Sequence, residues 1–330
     1  MYFCVSVFLT MGTKLKIPVL LLIFILLSCG QRGTGGQEVP AVRSFPKAVP
    51  PALMQDPSEI TEWMSLHFWN AYFETADEYG CDSSHVAGVA TGELEQQMAN
   101  FMYVLDRLPV DDAGKAVAEL ARKMESSEQA DTSCTIFETF KTLGEKYMFD
   151  PNSPLRNEDL FQPMAQMLSE SRFLSEVERE RFAYISRKCN LNRVGTKAAD
   201  FRFCDRRGKI RTLYGMNADH ILLFFSNPGC ESCMEIIQTL KSMPEVSEMI
   251  RNGKMAVLNI YIDEDIQAWR DYMPVYPDEW YNGFDPDFVL KNNEIYNIRA
   301  IPSLYLLDKD KTVILKDAVQ DKLFNLIQKL

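Results

Sequence analysis

The feature that most constrains this chain is the pair Cys230-Glu231-Ser232-Cys233, because of what flanks it. Ile221-Leu222-Leu223-Phe224-Phe225 precedes it, an apolar run of strand length, followed by the turn residues Ser226-Asn227-Pro228-Gly229. Met234, Ile236, Ile237 and Leu240 follow it at helical spacing. Cys230 therefore falls where a buried strand gives way to a helix. Unpaired backbone N–H groups and the helix dipole at that point favour a thiolate over a thiol. Cys233 lies one helical turn on, within reach of a mixed disulfide formed at Cys230. The pattern is that of a two-cysteine redox site.

A lone CxxC also occurs in structural zinc sites, but zinc needs four ligands. The chain has three histidines, His67, His85 and His220, and no second CxxC. The Pro-x-x-x-Thr-x-x-Cys pattern of peroxiredoxins is not met either, since Leu223 and Asn227 stand at its first two fixed positions. A copper chaperone would be expected to carry CxxxC and a downstream histidine, and no histidine follows His220.

Downstream, Met255–Ile262 reads as a second buried strand, and Asp263-Glu264-Asp265 leads into a short helix holding Trp269. A third strand runs up to Leu307, turns at Asp308–Lys311 and pairs with Thr312–Lys316 as a hairpin. Leu323, Phe324, Ile327 and Leu330 mark a last helix. Strand, helix, strand, then hairpin and helix is the order of elements in a thioredoxin fold.

From about Gly195 to Leu330 the chain resembles the TlpA/ResA-type thiol–disulfide oxidoreductases. Three features carry the resemblance: the CxxC after a strand, Ile301-Pro302 before a strand, and the entry segment Gly195–Phe201 with a turn at Asp205–Lys209. The resemblance implies a cis bond at Pro302, with Ile301 and Pro302 presenting backbone to a substrate chain. X–Pro is the bond for which a cis form is accessible. It also implies that Cys230 and Cys233 form a redox-active disulfide. Two departures stand out. Gly229 replaces the aromatic residue thioredoxin has before its first cysteine, and Phe224 occupies the place of its buried acid. Glu231, Asp263 and Glu264 are the nearby carboxylates in sequence that could act as base instead. An anion at Glu231 would raise the Cys230 thiol pKa, which points to a reductase or isomerase and away from a strong oxidant.

At the other end, Lys14 and Lys16 precede the apolar run Ile17–Leu27, then Ser28-Cys29-Gly30. That is a basic region, a short apolar core and a small residue at a cleavage position. The run is short for a membrane span. Leu26-Leu27-Ser28-Cys29 resembles a bacterial lipobox, which implies lipidation at Cys29; Leu27 is a less usual residue at its place. Residues 1–10 read as an upstream extension, with Met11 as the start. Residues 1–29 are thus expected to be a lipoprotein signal peptide. Residues 30–55, rich in Gly, Pro, Gln and Arg, read as a flexible tether. A lipid anchor places the chain in the bacterial cell envelope, periplasmic or outward facing, where disulfides persist. With 46 Asp and Glu against 35 Lys and Arg, the charge balance argues against nucleic acid as a partner.

Residues 56–192 are expected to form an all-α domain ahead of the α/β domain of residues 193–330. Asp56-Pro57-Ser58-Glu59 is a helix start, and Ser175-x-x-Glu178 another. Between them run one-sided apolar stripes, among them Leu94/Met98/Phe101/Met102/Leu105 and Phe137/Phe140/Leu143/Tyr147. Six helices are expected, resembling the uncharacterised helical domain found ahead of thioredoxin domains in some envelope lipoproteins. Cys81, Cys134, Cys189 and Cys204 admit three pairings, and no bridge is assigned among them.

The function expected is a membrane-anchored thiol–disulfide oxidoreductase with no metal or organic cofactor. Its partners would be disulfide-containing envelope proteins and a membrane-bound thiol electron donor. The alternative is a thioredoxin-fold binding or assembly module in which Cys230–Cys233 is a static disulfide.

Overall fold

The computed structural model describes residues 41–330, so the signal-peptide and Cys29 lipidation expectations lie outside the described residues. Seven α-helices and one small hairpin make up the first half of what is described. The order is α1 (Pro57–His67), α2 (Asn70–Glu74), β1 (His85–Val86), β2 (Val89–Ala90), α3 (Thr91–Leu105) and α4 (Val110–Ala130). Next come α5 (Ile136–Gly144), α6 (Glu158–Glu170) and α7 (Glu176–Cys189). Asp56 caps α1 through its carboxylate, with Pro57 at the first turn. Ser175 and Glu178 close a reciprocal capping box on α7. The apolar stripes read from the sequence converge on one core that holds Leu94, Met98, Phe101, Val117, Phe140, Phe161 and Phe182.

Three local differences from the sequence reading have physical causes. The chain breaks after α1, and the break inserts Trp69 edge-on against Phe140, with ring centroids 4.9 Å apart. The β1–β2 hairpin was not expected; its turn at Ala87-Gly88 is left-handed. Third, the tether expected over 30–55 is not free where it is described. Arg43 donates from Nε to the Ala87 carbonyl at 2.9 Å and lies 4.1 Å above the Tyr79 ring. Phe45 is buried in the helical core, and its N–H donates to Glu93 at 3.0 Å. One aromatic side chain and one stacked guanidinium outweigh a Pro-rich composition there.

The second half is a seven-stranded sheet. Its elements are β3 (Arg202–Asp205), β4 (Ile210–Thr212), β5 (His220–Phe225), α8 (Glu231–Ser242), α9 (Pro244–Arg251) and β6 (Met255–Tyr261). Then follow α10 (Ile266–Tyr272), β7 (Tyr281–Phe284), α11 (Val289–Asn292), β8 (Ser303–Asp308), β9 (Val313–Leu315) and α12 (Gln320–Ile327). The strand order is β4-β3-β7-β6-β5-β8-β9. β5, β6 and β7 run parallel; β8, β9, β3 and β4 join antiparallel.

Both faces of this sheet are covered, which is why its strands read as unbroken apolar runs. Leu222, Phe224, Val257, Leu304 and Leu306 face the helices α8 and α12. Ile221, Leu223, Phe225, Leu258, Tyr305 and Leu307 face the opposite core with Phe203 and Tyr296. β7 was not expected. It sits between β3 and β6, and at Gly283 a Cβ would come within 2.8 Å of the Cys204 carbonyl. Residues 41–330 lie within a single compact unit.

Candidate active site at the start of helix α8

β5 ends at Phe225 in parallel register with Ile260 of β6 and antiparallel register with Ser303 of β8. The chain then turns through Ser226–Gly229, and Gly229 has φ +75°. A side chain is strained in that left-handed region, so this backbone suits glycine where thioredoxin has an aromatic residue. Cys230 follows as the N-cap of α8, and its sulfur accepts the Cys233 N–H at 3.1 Å. Cys230 and Cys233 are joined as a disulfide with their Cα atoms 5.2 Å apart. Cys230 is half-buried, whereas Cys233 is only 2% exposed. An incoming sulfur therefore has access to the first cysteine and not to the second. The same backbone N–H that meets the Cys230 sulfur would stabilise it as a thiolate once the bond is reduced.

The Ile301–Pro302 peptide bond is cis. Pro302 immediately precedes Ser303, the partner of Phe225, so β8 begins at the sheet end where β5 hands over to the CxxC. Ile301 packs against the same apolar cluster as Cys230 and Cys233. The residues singled out from the sequence, Cys230, Cys233, Ile301 and Pro302, thus gather at one end of the sheet.

Phe224 is fully buried, and the polar groups beneath this end of the sheet come from residues the sequence reading did not single out. Ser226 Oγ donates to Asn259 Oδ1, Asn259 Nδ2 donates to Asn282 Oδ1 at 3.0 Å, and Asn282 Nδ2 donates to the Pro277 carbonyl at 2.9 Å. All three side chains are buried. This line crosses the ends of β5, β6 and β7 with neutral groups that carry no exchangeable charge at ordinary pH. A polar Asn inside the otherwise apolar run Met255–Tyr261 was the signal available for it.

The three carboxylates considered as bases have different surroundings. Glu231 is exposed on the first turn of α8. Asp263 accepts from Asn227 Nδ2 at 2.7 Å and so steadies the turn that precedes Cys230. Glu264 is exposed and paired with Lys291 at 3.2 Å. Outside the site, burial pushes the Cys189 thiol up to about 12, and Cys204 is raised by the same cause. Among the described residues no group of three or more His, Cys, Asp or Glu is placed to hold a metal ion. No helix among them is long and apolar enough to cross a membrane.

Residues 29–192 match a domain of unknown function, DUF5106, and residues 217–313 match a thioredoxin-like family. No curated protein matches the chain. A thioredoxin-like protein from Bacteroides caccae is 33% identical, with a TM-score of 0.75 over 88% of this chain and 99% of that one. The C-terminal domain of an uncharacterized Bacteroides fragilis protein is 44% identical over 42% of this chain and 98% of its own, with a TM-score of 0.40. A conserved protein of unknown function from Bacteroides fragilis is 33% identical over 41% and 98%, also at 0.40. At 33% identity to a relative that it spans almost entirely, this chain belongs to the thioredoxin-like proteins.

Proposed function

We propose that this protein is a thiol–disulfide oxidoreductase of the bacterial cell envelope, lipid-anchored through Cys29, acting as a reductase or isomerase on disulfide-containing envelope proteins. The observation that carries the reading is the asymmetry of the pair: a reachable Cys230 sulfur at a helix N-terminus bonded to a buried Cys233.

In the reduced protein, the Cys230 thiolate attacks one sulfur of a substrate disulfide. The substrate S–S bond breaks, one substrate sulfur leaves as a thiolate and takes up a proton, and a mixed disulfide remains. Cys233 then loses its proton and attacks the Cys230 sulfur. This releases the second substrate thiol and forms Cys230–Cys233. Two electrons pass from the dithiol to the substrate, and a membrane-bound thiol protein would return them. Ile301 and Pro302 hold the substrate backbone during the exchange. In isomerisation a second substrate thiol resolves the mixed disulfide, and no net electrons move. Glu231, one residue from Cys230, disfavours a very acidic thiol and with it a strong oxidant.

The test is the Cys230–Cys233 reduction potential of the purified protein, read by alkylation across thiol buffers. A value near −270 mV is expected for a reductase that needs a donor. A value near −120 mV would make the protein an oxidant and overturn the direction. A pair that stays oxidised until the protein unfolds would favour the second reading, a binding module with a static disulfide.

A further inference from the structure

The loop that delivers Pro302 to β8 is held by the helical half at Glu294, Ile295, Asn297 and Arg299. Lys188 and Asn192, at the end of α7 and just beyond it, donate to the carbonyls of Glu294 and Ile295 at 2.9 and 2.8 Å. Glu158, the first residue of α6, accepts from Asn297 Nδ2 at 2.7 Å and lies 3.5 Å from Arg299 Nε. The Arg299 guanidinium also sits 4.4 Å from the Phe149 ring centroid and donates to Asp317 at 3.0 Å. Asp317 in turn accepts from Ser303 Oγ at 2.8 Å, the residue directly after Pro302. Glu158 therefore reaches the loop on both sides of the cis bond, directly upstream and through Arg299 and Asp317 downstream.

The set is balanced, and its three carboxylates are buried: Glu158, Asp159 and Asp317 meet Arg156, Arg299 and Lys316. Glu158 is 2% exposed, and burial pushes its carboxyl pKa up while Lys316 draws it back. Such a set is costly to desolvate, and an apolar contact would join two surfaces as firmly. What hydrogen-bonded groups add is a fixed geometry, and here that geometry belongs to the loop carrying Ile301-Pro302.

We infer that Glu158 is a positioning residue for polypeptide substrates, holding the Asn297–Ser303 loop in the shape that receives an extended chain. The inference rests on the thiol–disulfide reading above. A polypeptide disulfide needs both the loop and Cys230, whereas a small aromatic disulfide needs only the Cys230 sulfur.

The experiment compares wild type, Glu158→Gln and Asn297→Ala in turnover of insulin, whose disulfides are intact, with dithiothreitol returning the two electrons of each cycle, and in the single reaction of the pre-reduced protein with the small disulfide DTNB. Gln keeps the shape of the carboxyl and removes its charge; Ala at 297 removes the one amide that donates to that carboxylate and decides the matter if the first variant does not fold. The expected result is a KM for insulin raised about tenfold in E158Q and about threefold in N297A, with kcat and the DTNB rate unchanged. Unchanged insulin KM in folded variants, or a parallel fall with both substrates, would overturn the positioning role. A wild type that reacts with neither disulfide would instead overturn the reading beneath it.

Discussion

The two disulfides among the described residues have the same Cα–Cα distance, 5.2 Å, and opposite circumstances. Cys81–Cys134 joins residues 53 apart, tying the approach to β1 to the residue before the N-cap of α5. Both of its cysteines pack against the helical core, and the Cys81 sulfur also accepts the Ala87 N–H at 3.2 Å. Cys230–Cys233 joins residues 3 apart on one helical turn. In the chain-entropy account a loop of that first length is worth about 4 kcal/mol to the folded state, and a three-residue loop less than half as much. A bond that stabilises little can be opened and closed while the fold stays intact. The work of a disulfide is therefore set by the loop it closes and by the groups around its sulfurs.

The comparison breaks if either bridge behaves like the other. Cys230→Ser is expected to reduce disulfide exchange by about 10³-fold or more, with a melting temperature close to wild type. Cys233→Ser should leave attack intact and block release, so a mixed disulfide accumulates as a band on non-reducing gels. Retained exchange in the Cys230 variant would end the proposed chemistry. The complementary variant, Cys81→Ser/Cys134→Ser, is expected to keep exchange and lose roughly 10 °C of melting temperature. If it melts like wild type, the long-range bridge contributes nothing to stability and the contrast fails on that side.

How much of this was legible in the sequence follows the range of the interactions involved. Local signals were readable: the caps at Asp56 and Ser175, the helical stripes, the strand–turn–helix around Cys230, and Pro302 ahead of a strand. Each depends on a few neighbouring residues. β7 was not readable, because Asn282 and Gly283 look like turn residues and its partners β3 and β6 lie far away in the chain. The Cys81–Cys134 pairing was one of three possibilities that only the fold separates. Glu158 and Asp159 read as ordinary acids on a helix's first turn, complementing its dipole. Their burial against Lys316 and Arg299 comes from the packing of the two halves, which no local pattern encodes.

The smallest expected effect concerns how α7 is started, since this helix ends at the residues that grip the Pro302 loop. Glu178 accepts from the Ser175 hydroxyl and backbone N–H, and these bonds hold its carboxyl at about 2, against 4.5 for an ordinary Glu. The folded state thus binds the proton less readily than the unfolded chain. The resulting stability is present above pH about 4.5 and is lost as pH falls toward 2. The Glu178 side chain is 42% exposed, so water screening keeps the contribution small. In Glu178→Gln the box can still form, because a Gln carbonyl accepts from Ser175, but the charge is gone. The variant should melt slightly below wild type at pH 7 and lose less on acidification to pH 3. Exchange kinetics at pH 7 should not change, because the box lies at the end of α7 away from Lys188 and Asn192. Equal losses between pH 7 and pH 3 in the two proteins would show that the capping carboxylate stabilises neither the helix nor the loop it leads to.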